Sequence, residues 1–135
     1  MFIKNDIYQI SIDKDETFSL ESTDNKPYEI LLNPDNLKKS DYFKAFYISI
    51  EANCNKRQIV LVGSLFGSDD NTAILDNNDL IILMNTMIIV IDCLTLTIKT
   101  HRHIPDNGCY FSIYRFNSGY IVYGELKIVK LTKQI

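Results

Sequence analysis

Along almost the whole chain, apolar positions alternate with polar ones or gather into short apolar runs between turn residues. Period-two alternation places one face of a strand on a core, and a short unbroken run suits a strand buried on both faces. Ile7 to Ile12 reads as the first strand, and Asp13-Lys14-Asp15-Glu16 as a polar turn after it. Thr17 to Leu20 alternates back, and Tyr28 to Leu32 is a short apolar run ended by Asn33-Pro34. From Asn33 to Lys39 the chain predicts a turn or one short helix, because proline is tolerated at a first helical position. Any helix is confined to about 33–45. From Lys44, the residues Phe46, Ile48 and Ile50 alternate with Tyr47, Ser49 and Glu51. Asn53-Cys54-Asn55 then turns the chain into Gln58 to Val62, whose apolar run predicts a mid-sheet strand.

The centre reads as a meander: Thr72 to Leu75, a turn at Asp76-Asn77-Asn78-Asp79, then Leu80 to Met84. A break at Asn85-Thr86 follows, then Met87 to Ile91 and Leu96 to His101. The last third repeats the rhythm with Tyr110 to Phe116, a turn at Asn117-Ser118-Gly119, Tyr120 to Tyr123, and Leu126 to Leu131. The breaks at Asn85-Thr86 and Gly124-Glu125 are 39 residues apart, near the length of a four-stranded propeller blade. The pattern predicts about eleven or twelve strands, too few for a closed propeller. The expected fold is therefore all-β, with antiparallel meanders packed as stacked sheets or a sandwich, partly blade-like. The 135 residues are expected to form a single domain, 1–135.

Composition supports strands: 20 isoleucines stand against three alanines, and β-branched side chains favour pleated sheets. A hydrophobic fraction of 46% excludes a disordered chain. The longest apolar stretch, Leu80 to Ile91, is 12 residues with Asn85 and Thr86 inside it. That is short of the roughly 20 residues a membrane-spanning helix needs. Met1-Phe2-Ile3-Lys4 shows no basic region ahead of an apolar stretch, so no secretory signal is expected. Three widely spaced cysteines, Cys54, Cys93 and Cys109, then read as reduced thiols in a cytoplasmic protein.

Charge changes the picture more than composition does. Residues 1–57 carry eight basic and ten acidic side chains. Residues 58–98 carry no Lys or Arg and five aspartates: Asp69, Asp70, Asp76, Asp79 and Asp92. Residues 99–135 carry six basic and two acidic side chains. The total of −3 argues against a binder of nucleic acid that relies on phosphate contacts. The acidic segment has two readings. Asp suits turns because its carboxylate bonds the local backbone. Alternatively, Asp69, Asp70, Asp76 and Asp79, in or beside turns, form an acidic surface that steers a basic protein partner. Asp92 follows a continuous apolar strand and is read as serving its own turn.

Reaction chemistry is thinly represented. No phosphate loop, GxSxG or CxxC occurs. His101 and His103 fall on one face of a strand and could begin a metal site, with Cys109 or Asp106 as further ligands. Two histidines at a strand end explain the pattern as well, so no metal and no cofactor are expected. A Cys109–histidine nucleophile pair gains nothing from an orienting acid, since one can always be found among seventeen, and in a ribonuclease built on His101, His103 and Lys99 the two same-face histidines do not flank a phosphate from both sides. The EF-hand order is missing around Asp69 to Asp79. Tyr110, Tyr114, Tyr120 and Tyr123, with Arg115, suit either half-buried sheet positions or an interface.

Leu80 to Lys99, and Ser112 to Leu131 with its Gly119-Tyr120-Ile121-Val122-Tyr123-Gly124-Glu125-Leu126 core, resemble blade-type meanders of small bacterial proteins. Immunity proteins encoded beside contact-dependent growth-inhibition toxins are among them, and the Ile/Asn/Lys-rich composition is similar. The resemblance implies a cytoplasmic, non-catalytic protein that binds and neutralises a toxin, a basic nuclease being the class an acidic face would fit. It rests on strand rhythm, so it transfers no functional residue. The alternatives are a structural subunit of a propeller-like assembly and, third, a small hydrolase or ribonuclease.

Overall fold

The computed structural model describes residues 1–63, 72–84, 86–104, 110–125 and 128–133. Contacts divide the chain into two compact units, Met1–Leu65 and Phe66–Ile135. Every regular element among the described residues is a strand, twelve in all, and none of the three sheets closes into a barrel or propeller. Among the described residues no helix is long and apolar enough to cross a membrane.

The first unit is one five-stranded sheet. Its strands are β1 (Phe2–Lys4), β2 (Gln9–Lys14), β3 (Ile30–Leu32), β4 (Lys44–Ala52) and β5 (Asn55–Gly63), in the order β1-β2-β4-β5-β3. The β1, β2, β4 and β5 pairings are antiparallel, but β3 lies parallel to β5. The apolar run explains that exception. Ile59, Val60, Leu61 and Val62 are all 0% exposed, and a strand so buried needs hydrogen-bond partners on both edges. β4 occupies one edge and β3 the other.

Two expectations are corrected in this unit. Thr17 to Leu20 is not a strand but part of a loop. Phe18 and Leu20 are buried there in a cluster with Tyr47, Val60 and Val62, and Phe18 packs edge-on to Tyr47 at 6.3 Å. Alternation in this stretch therefore reports two plugs set into a sheet face, held by the Asn25 side chain, which accepts from and donates to the Ser19 backbone. Residues 33–45 hold no helix. The Asn33 amide brackets Leu37, accepting from its N–H at 2.9 Å and donating to its carbonyl at 3.0 Å. Asn36 is left-handed (φ 52°), which a right-handed helix does not tolerate.

The second unit is a two-sheet sandwich. A four-stranded antiparallel meander runs β6 (Ala73–Asp76), β7 (Asp79–Met84), β8 (Met87–Asp92) and β9 (Thr97–His103). A three-stranded one runs β10 (Tyr110–Phe116), β11 (Gly119–Gly124) and β12 (Ile128–Thr132). Ile81, Leu83, Ile88 and Val90 of the first meet Ile113, Tyr120, Val122 and Leu131 of the second in one buried cluster. Asparagine makes the tight turns: Asn77 and Asn117 both have positive φ (53° and 54°). Gly119 opens β11 because a side chain there would lie 2.1 Å from the Leu131 carbonyl oxygen.

Candidate functional site

The acidic segment and the basic segment meet at one end of the second unit. The β6–β7 turn presents Asp76, Asn77, Asn78 and Asp79, and the end of β8 adds Asp92. Together with Lys99, Tyr120 and Lys133 they line a cleft of about 290 Å³.

Asp76 is the hub of this cleft. Its side chain is only 13% exposed, and Tyr120 donates its hydroxyl to Oδ2 at 2.6 Å. Arg115 Nη2 lies 3.5 Å from Oδ1 and Lys133 Nζ 3.6 Å from Oδ2. Arg115 also donates to the Leu75 carbonyl. The Tyr120 hydrogen bond is the main reason that the Asp76 carboxyl ionises below its usual range, with Arg115 and Lys133 adding to it against the cost of burial. Tyr120 responds the other way: burial first, then the Asp76 carboxylate, hold its hydroxyl protonated well above the usual tyrosine range.

Asp79 pairs with Lys99, Nζ to Oδ1 at 2.9 Å, and that hydrogen bond raises the lysine pKa. Lys99 is itself the extra residue of a β-bulge, since Val90 pairs with Thr100 and Ile91 with Ile98. Bulges commonly re-aim a neighbouring side chain. Asp92 accepts from the N–H groups of Leu94 and Thr95 at 2.8 and 3.2 Å, so it does serve its own turn.

The four aspartates singled out from the sequence thus fare differently. Asp76 and Asp79 share one cleft, each already neutralised by a basic side chain of its own unit. Asp69 and Asp70 lie outside the described residues. Sequence reasoning missed Tyr120, Arg115 and Lys133 as the partners of Asp76. The signal was present, since five uncompensated negative charges in 58–98 precede an excess of positive charge in 99–135.

The other candidates are placed as follows. His101 and His103 are exposed on β9, the edge strand of its sheet, and His103 Nδ1 lies 3.2 Å from the Thr86 hydroxyl. No group of three potential metal ligands occurs among the described residues; Asp106 and Cys109 lie outside them. Cys93 is buried, and burial, reinforced by Asp92 and Asp79, pushes its thiol up to about 12. A thiol that stays protonated is a poor nucleophile. Cys54 is exposed at the β4–β5 turn. Tyr110 and Tyr120 face the core, while Tyr114 and Tyr123 stand on the outer face of the three-stranded sheet.

Compared with protein-family models, with curated proteins and with solved structures, the chain finds no match.

Proposed function

We propose that the protein is a non-catalytic protein-binding module, and specifically an immunity protein that binds and neutralises a bacterial toxin with a basic surface, such as a nuclease. The observation that supports this most directly is the turn-end cleft. Asp76, Asp79 and Asp92 are held in it by two short turns, beside lysines that are themselves largely solvent-exposed. Lys133 sits loosely at 3.6 Å from Asp76 and keeps 58% of its side-chain exposure. An incoming arginine of a partner can replace it, since guanidinium binds a carboxylate in two-pronged fashion and an ammonium does not. The lysines thus act as placeholders for the cations of the partner. Because they already cancel much of the field of Asp76 and Asp79, steering at long range is assigned mainly to Asp69 and Asp70.

The test is the association rate with the cognate toxin at low salt. Replacing Asp69, Asp70, Asp76 and Asp79 together by Asn is expected to slow association strongly, as added salt slows the unchanged protein. Asp79→Asn alone, which removes a carboxylate that Lys99 already balances, is expected to change the association rate little. An unchanged rate in the fourfold variant removes the acidic surface as the binding face.

A second reading, a structural subunit of a propeller-like assembly, draws on the β6–β9 meander, which has the strand count of one propeller blade.

A further inference from the structure

The outer face of the three-stranded sheet is unusually apolar for a surface. Pairing across the strands sets Tyr114, Ile121 and Lys130 in one row and Tyr123 beside Ile128 in the next. Phe116, Gly119 and Thr132 form the row at the β10–β11 turn. Tyr114, Phe116, Tyr123 and Ile128 keep 38%, 43%, 40% and 62% of their exposure. Tyr114 and Tyr123 pack edge to face at 5.5 Å, so the rings are already ordered. Contiguous exposed apolar side chains of this kind mark interaction surfaces.

Charge on this sheet is arranged end to end. Lys130 leans over the Phe116 ring, 5.3 Å from its centre, and helps line a concavity of about 280 Å³ at the β10–β11 turn. Glu125 is exposed at the opposite end, just beyond Gly124 where β11 finishes. Neither forms an ion pair among the described residues. A cation at one end and a carboxylate at the other make the face complementary to itself.

We propose that this face binds a second copy of the chain, sheet against sheet, about a two-fold axis lying across the strands. That rotation exchanges the two ends of the β11–β12 hairpin. Each Glu125 then meets the Phe116–Lys130 concavity of the other copy, and the two ion pairs flank an apolar centre of Tyr114, Ile121, Tyr123 and Ile128 from both copies. Such an isologous contact closes on itself and forms no filament. With strands about 4.8 Å apart and about 3.4 Å per residue, the face measures roughly 15 by 20 Å. That is small for a stable interface, so the dimer dissociates in the micromolar range. The inference goes beyond the toxin-binding reading. It uses a different surface, and failure of either leaves the other standing.

Sedimentation velocity on the full chain from about 10 to 500 µM tests it over that affinity range. A concentration-dependent monomer–dimer equilibrium is expected. Lys130→Glu and Glu125→Lys should each weaken it about tenfold, and the double charge swap should restore it. Tyr123→Lys should leave only monomer, with an unchanged circular dichroism spectrum showing that it is folded. A monomer at all concentrations overturns the proposal, as does a dimer indifferent to the single charge reversals. A swap that fails to restore association overturns it equally.

Discussion

Asp76 shows how a turn residue becomes a structural hub. A carboxylate mostly removed from water is costly unless its oxygens are satisfied, and here a tyrosine hydroxyl and two cations satisfy them. Tyr120→Phe deletes the closest of these bonds and leaves the ring in place. The expected cost is about 1.5–3 kcal/mol, the usual range for a hydrogen bond to a charged group, read from urea unfolding at neutral pH. The pH dependence has a definite sign. The folded-state pKa of Asp76 is depressed below 3.8, so its contribution is fully present above that value and disappears as pH falls through the lower, folded pKa. Asp76→Asn should therefore destabilise the protein at pH 7 and much less at pH 2–3. An equal effect at both would mean that the charge on Asp76 does not matter.

At the scale of the element, the β4–β5 hairpin carries visible strain. Asn53 and Cys54 have φ of 51° and 63°, the twin left-handed geometry of the tightest hairpin turns. Asparagine tolerates it, but a cysteine side chain crowds the following carbonyl. Cys54→Gly should raise stability by about 1 kcal/mol, as a higher urea midpoint with unchanged slope. A lower midpoint would show that the Cys54 side chain makes a stabilising contact at the turn. The element scale also explains which strands were legible. β10 is predicted to the residue and β4 nearly so, because both are runs rich in aromatic and β-branched residues that end at asparagine turns. Thr17 to Leu20 alternates as well, yet has no neighbouring strand to pair with; period two reports burial on one side, and pairing needs a partner.

For the whole molecule, the buried apolar runs make Cys93 a reporter of the unfolding of the second unit. Its thiol is 3% exposed and stays protonated up to about 12, so alkylation requires the chain around it to open. Under native conditions Cys54 should label quickly and Cys93 only through unfolding, with its labelling rate rising in step with urea concentration. Site-resolved mass spectrometry separates the two. Fast labelling of Cys93 in the native protein would mean that the β6–β9 sheet opens locally, independently of the rest.

The sequence by itself determined the all-β class, the asparagine turns and the burial of residues 59–62, 80–84 and 87–91. These follow from side-chain period and turn chemistry, which act between near neighbours. It also showed that charge is segregated along the chain. Only the tertiary structure decided which of these charges meet. Packing β10–β12 on β6–β9 brings Arg115 and Lys133 to Asp76, and the bulge in the meander aims Lys99 at Asp79. A charge pattern in one dimension gives the sign of a region but not its partners. Attraction falls with distance in space, and that distance is set by which strands stack. The same holds for the tyrosines. Alternation splits Tyr114 and Tyr123 from Tyr120, and only the packing of one sheet face on the other sheet makes Tyr120 a buried donor and leaves the other two at the surface.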